Sequence, residues 1–85
     1  MTYSVIVLPS AERELMKLPA REWGRIRDTI DALALNPRRG GSRKLQGTRD
    51  RYRVRCGNYR VLYRIDDKRN RVTIYAVGNR KDVYR

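Results

Sequence analysis

Histidine is absent from this 85-residue chain, and cysteine occurs once. Those two shortages close off much catalytic chemistry. Without histidine no Ser-His-Asp or Cys-His nucleophilic arrangement exists, and a zinc site of the usual nitrogen and sulfur ligands lacks donors. Acids are scarce as well, nine Asp+Glu against 21 Lys+Arg. They are scattered, and the adjacent Asp66 and Asp67 suit a turn better than a catalytic pair. A nuclease built on clustered carboxylates around metal ions is therefore disfavoured, and no metal ligand or cofactor is assigned. The lone Cys56 can form no internal disulfide, and its place among alternating apolar residues marks a small buried hydrophobe in a reducing cytoplasm. No apolar run is long enough for a membrane helix, and the stretch from Met1 to Pro9 is too short for a signal peptide. We expect a soluble, cytoplasmic protein with no membrane partner.

Basic residues are what the chain has in excess, and they are placed unevenly. Residues 1–37 hold five bases and five acids, whereas residues 38–85 hold sixteen bases and four acids, so the second part carries the whole net charge of +12. A one-sided basic block is the electrostatic footprint of a nucleic acid or another polyanion. Within it, Arg51-Tyr52-Arg53-Val54-Arg55-Cys56 places arginine at every second position. Side chains of a strand alternate between its faces, so Arg51, Arg53 and Arg55 share one face and Tyr52, Val54 and Cys56 the other. The run Tyr59-Arg60-Val61-Leu62-Tyr63-Arg64-Ile65 repeats the device with Arg60 and Arg64. A hairpin through Gly57-Asn58 then crowds five guanidiniums onto one surface, an arrangement that repels itself until a counter-charge arrives.

The length suits one small domain spanning residues 1–85. Tyr3 to Leu8 reads as a first strand ending at Pro9. Ser10 is the expected N-cap of a helix reaching about Leu18, with Ala11, Leu15 and Leu18 as its apolar stripe. A second helix runs from about Ala20 to Leu35, stopped by Asn36-Pro37, with Trp23, Ile26, Ile30 and Leu33 facing the core. Trp23 is expected to be a core anchor. The stretch from Pro37 to Lys44 reads as a mobile, glycine-rich basic loop. Strands follow at about 50–56, 59–66 and 71–78, the last two joined by the turn Asp67-Lys68-Arg69-Asn70. The fold class is α+β, order βααβββ, with two helices on one face of a small, mainly antiparallel sheet.

An enzyme with these residues must work through arginine, lysine and tyrosine. RNA cleavage fits, because the ribose 2′-OH can attack its own neighbouring phosphate and the nucleophile arrives with the substrate. The protein then has to align the nucleotide, neutralise the pentacoordinate phosphate and move protons. Guanidiniums suit the second task, since they stay charged and offer paired N–H donors to phosphate oxygens. At the C-terminal end, Arg80 can turn back over the sheet edge, and Tyr84 offers a ring for stacking or a phenol for proton transfer.

The segments Lys44-Leu45-Gln46-Gly47, Tyr52-Arg53-Val54-Arg55, Gly57-Asn58-Tyr59-Arg60-Val61-Leu62-Tyr63 and Val77-Gly78-Asn79-Arg80-Lys81-Asp82-Val83-Tyr84 together resemble the RelE family of bacterial and archaeal toxins, within the RelE/ParE superfamily. The resemblance spans nearly the whole chain. It implies a ribosome-dependent mRNA endonuclease that acts in the ribosomal A site and is held inactive by a cognate, RelB-like antitoxin in a hetero-oligomer. Carried over by position, Arg53 and Arg55 match two basic residues that alternate on a family strand. Arg60 matches a phosphate-binding arginine, Arg80 a general acid for the leaving 5′-oxygen, and Tyr84 a tyrosine that stacks on or orients the substrate. Arg43, Lys44, Arg51, Arg64 and Lys81 are the further candidate RNA contacts. Several relatives have lysine where Arg53 and Arg55 stand, and many have histidine at the position of Asn79. The general base is left open among Tyr84, Lys44, Lys81 and ribosomal RNA. The alternatives are a ParE-type toxin acting on DNA gyrase, with the same fold, and a non-catalytic nucleic-acid-binding module.

Overall fold

The two arginine-alternating runs do pair with each other in the computed structural model, which describes residues 2–79. Strand β3 (Arg51–Cys56) lies antiparallel to β4 (Tyr59–Asp66). Gly57 between them has φ +61°, and Asn58 stays at negative φ. A positive φ at the first of two loop residues is the type II′ pattern, whose twist suits flanking strands. The turn at residues 67–70, with Asn70 at φ +50°, leads to β5 (Arg71–Asn79), antiparallel to β4. The first strand, β1 (Ser4–Val7), joins the far edge of β5 in parallel.

Parallel strands need a crossover connection. Helices α1 (Pro9–Met16) and α2 (Ala20–Leu35) form part of it, and they cover one face of the sheet. Ala11, Ile26, Ile30 and Leu33 from the helices meet Val54, Cys56, Val61, Tyr63, Ile65, Val72, Ile74 and Val77 from the strands in one buried cluster. Cys56 lies in this cluster, as its parity implies, and its sulfur accepts a 3.3 Å hydrogen bond from the Thr29 hydroxyl.

Three local expectations differ from the structure. Ser10 is not the N-cap of α1: the helix begins at Pro9 with Leu8 as N-cap and no capping side chain. Proline fits the first helical position because its φ is already helical and its missing N–H leaves no donor unsatisfied. Trp23 is not a core anchor either. It is 37% exposed, and its indole N–H donates to the Leu18 carbonyl at 3.1 Å, fastening α2 to the connection from α1. The glycine-rich basic segment is not a free loop, since Ser42–Lys44 form a short strand, β2, antiparallel to β3, completing the order β1-β5-β4-β3-β2.

The start of that segment is clamped. Arg38 makes a two-pronged ion pair with Asp67 at 2.8 and 3.1 Å, donates from Nε to the Tyr52 hydroxyl at 3.3 Å, and lies over the Tyr52 ring. The Tyr3 hydroxyl donates to the same carboxylate at 2.8 Å. The buried Tyr63 hydroxyl donates to the Pro37 carbonyl at 2.6 Å, and its ring stacks on Tyr52. Bonded to Arg38 first and Tyr3 second, the Asp67 carboxyl is held below its usual range.

Candidate nucleic-acid interface

Because strand side chains alternate, the residues that do not face the helices are gathered on the opposite side of the sheet. Pairing fixes them in three rows across the strands. In one row, Arg55 stands opposite Arg60, which is opposite Gly78. In the middle row, Arg43, Arg53, Leu62 and Ala76 follow one another across four strands. In the third, Arg51, Arg64, Thr73 and Ile6 do so. All three rows thus contain arginines directly facing each other. At a charge separation of ~7 Å, each pair repels by roughly 0.6 kcal/mol even with the dielectric constant of water.

Carboxylates do not relieve that repulsion for most of the set. Among the described residues, the ion pairs engage Arg21, Arg25, Arg38 and Arg69, and none engages Arg43, Arg51, Arg53, Arg55 or Arg64. Arg55 turns toward the hairpin tip, where Nε donates to the Gly57 carbonyl at 3.1 Å. Arg25 of α2 reaches the same tip, its Nη1 lying 2.6 Å from where a side chain at Gly57 would start. Arg60 is half-buried, with Nε and Nη1 shielded from solvent.

Beyond Arg43 and Arg53, the middle row continues into a small apolar cluster. Leu62 and Ala76 are fully buried, with Leu45 and Tyr75 packed against them. Tyr75 is placed there by an irregularity: Leu62 pairs with Ala76 but the next residue, Tyr63, pairs with Ile74, so β5 bulges at Tyr75. A bulge changes which face later residues address. It lets Ala76 join the arginine face while Val77 enters the main core, and the Val77 N–H is met by the Glu14 carboxylate of α1 at 3.1 Å. The Arg51 guanidinium lies 5.3 Å above the Tyr75 ring. Burial raises the Tyr75 phenol above its usual pKa, with Arg51 pulling the other way.

Of the residues proposed from sequence, Arg43, Arg51, Arg53, Arg55, Arg60 and Arg64 are brought together on this face. Lys44 is not, because it pairs with Tyr52 and therefore addresses the helix side. Arg80, Lys81 and Tyr84 lie outside the described residues. The sequence reading missed Tyr75 and Arg25. Tyr75 shares parity with Thr73 and was open to detection by alternation; Arg25 sits on a helix, and nothing in its spacing points to the hairpin tip.

Known proteins place this architecture in a defined class. Over 94% of this chain and 100% of that one, it superposes on a chain of a RelBE toxin–antitoxin complex from Mycobacterium tuberculosis with a TM-score of 0.84 and 33% identity. An archaeal RelE-RelB complex from Pyrococcus horikoshii matches with a TM-score of 0.82 and 32% identity, over 96% of this chain and 99% of that one. In sequence, the toxin RelG of Mycobacterium tuberculosis is 39% identical, covering all of this chain and 99% of its own. The family profile of the ParE toxin of type II toxin-antitoxin systems matches residues 5–84. The chain belongs to the RelE/ParE superfamily and is a toxin of the type II toxin–antitoxin class. No helix among the described residues is long and apolar enough to cross a membrane.

Proposed function

We propose that this toxin is an mRNA endonuclease of the RelE kind, acting on mRNA in the ribosomal A site and cleaving it through the substrate's own 2′-OH. The observation that carries this is the three-row arginine face, where among the described residues no carboxylate ion pair engages Arg43, Arg51, Arg53, Arg55 or Arg64. Phosphates supply the missing counter-charge, and the partly exposed Tyr75 and Leu45 suit a base. Attack by the 2′-OH on the adjacent phosphate adds negative charge to a pentacoordinate centre, and preorganised guanidiniums stabilise what develops there. Arg60 and Arg55, facing each other, hold the non-bridging oxygens, with Arg53 one row away on the neighbouring phosphate. Arg80 protonates the leaving 5′-oxygen and Tyr84 orients or stacks on a base; these two roles rest on the family resemblance. The absence of histidine and the scattering of the carboxylates support a metal-independent route.

The relatives with solved structures are complexes with RelB antitoxins, and we assign this cytoplasmic chain a RelB-like partner of its own. A cleft of about 360 Å³ between α1, α2 and β1, lined by Val5, Val7, Leu15 and Ile30 together with the charged Glu12, Arg27 and Asp31, supports a docking place for it on the helix side, away from the arginine face. The ParE profile favours a second reading, a toxin of DNA gyrase with the same fold. One assay separates them. In a translation extract, the endonuclease cuts mRNA only with ribosomes and leaves a 2′,3′-cyclic phosphate or 3′-phosphate and a 5′-hydroxyl. A message with 2′-deoxyribose at the cut site resists. Gyrase-dependent DNA breaks with intact mRNA would select the ParE reading.

A further inference from the structure

The arginine face has two separated ends. Arg55 and Arg60 lie in one row; Arg51 and Arg64 lie two rows away, roughly 13 Å along the strands at about 3.3 Å per residue. That is about the reach of two extended nucleotides, too far for both rows to grip one phosphate. The far row has features of its own. Tyr75 lies beneath Arg51, and a cation held over an aromatic face loses less freedom when it binds. Arg64 and Thr73, in the same row, open into a cleft of about 290 Å³ whose described lining also includes Asp50, Ile65, Asp66 and Arg71. Carboxylates there disfavour a phosphate and accept N–H groups from a base edge or hydroxyls from a ribose.

Resting on the RNA reading of this face, we propose that the Arg51–Arg64 row is a second nucleotide subsite, separate from the cleavage row. Arg51 and Arg64 hold a phosphate about two nucleotides from the cut, and the adjoining cleft receives the base or ribose attached to it. Tyr75 acts as a positioning residue for Arg51. Asp50 is the acceptor for a base that presents N–H donors; Asp66 is already engaged by Arg69 at 3.1 Å.

The test is binding of the full-length toxin to uncleavable 2′-fluoro RNA ladders of about two to eight nucleotides, bracketing the lower site sizes of single-strand binders, at several salt concentrations. Wild-type affinity is expected to rise in two stages with length. Arg51→Ala/Arg64→Ala should remove the second stage and reduce the salt slope by about 0.7, the value for one neutralised single-strand phosphate. On RNAs too short to span the rows, wild type and the double variant should both bind in a single stage. Asp50→Asn should leave the salt slope alone and change base preference at the distal position. Tyr75→Leu should weaken the second stage, and Tyr75→Phe should preserve it. Circular dichroism checks each fold, and Arg51→Gln/Arg64→Gln replaces the alanine pair if that one is unfolded. A double variant that keeps the second stage and the slope overturns the subsite. So does one that loses affinity for an acidic peptide but not for RNA, which would assign the row to a protein partner. A toxin that binds in two stages but cuts nothing on ribosomes would refute the catalytic proposal and leave this one standing.

Discussion

Strand β4 serves two regions of opposite character. Val61, Tyr63 and Ile65 enter the helix-covered core, while Arg60 and Arg64 flank Leu62 on the other face. Every second residue thus belongs to a region held together by burial, and the residues between them to one whose charges push apart. The core contributes stability through apolar area removed from water, about 25 cal/mol per Å². The arginine face contributes little and some of its pairs oppose folding. Stability and ligand affinity are therefore separable along a single strand, one residue at a time.

The sharpest way to break the contrast is to put charge on the wrong face. Val61→Asp places a carboxylate at a position with no solvent exposure, where an unpaired charge costs several kcal/mol. The domain should lose its far-ultraviolet circular dichroism and cooperative melting. One residue earlier, Arg60→Ala should keep the fold and reduce mRNA cleavage on ribosomes by about 10²–10³; wild-type toxicity from a folded Arg60→Ala protein would remove Arg60 from the chemistry. Tyr63→Phe leaves the buried Pro37 carbonyl without its 2.6 Å donor and should lower stability by about 1–3 kcal/mol in urea titration. The smallest effect is expected at exposed Asp67. Its folded pKa lies below the ordinary 3.8, so its contribution is fully present above that unfolded value and lost as pH falls through the folded one. Asp67→Asn should melt slightly below wild type at neutral pH, and the two melting curves should converge in acid.

What was legible in sequence followed from periodicity. Arginine at alternate positions around Gly57-Asn58 specifies both faces and the hairpin register, because a one-residue slip would carry Val54 and Val61 out of the core. The spacing of Ile26, Ile30 and Leu33 likewise defines the buried stripe of α2. Illegible features depend on partners distant in sequence. β2 is three residues of Ser-Arg-Lys with no apolar signal, and it exists because β3 offers it an edge. The bulge at Tyr75 breaks the alternation that reveals strands, so the placement of Ala76 and Val77 on different faces needs the β4 register. Trp23 has helical core spacing but falls where α2 passes the end of α1, and there its indole finds a carbonyl instead. On the candidate site, alternation alone gathers the five guanidiniums. It does not show the small apolar cluster beside them, since Leu45 packs on Leu62 and Ala76 from outside the hairpin.

The reciprocal arginine pairs make ionic strength act on this protein with two signs. Screening extends over about 8 Å at physiological salt, comparable with the separation of facing guanidiniums, so added salt quiets the repulsion within the free sheet and raises its melting temperature. The same ions compete with phosphate and loosen any nucleic acid held there. A solution that favours the isolated toxin is thus one that disfavours its complex with RNA. The melting temperatures of the free and RNA-bound forms should approach each other as salt is raised.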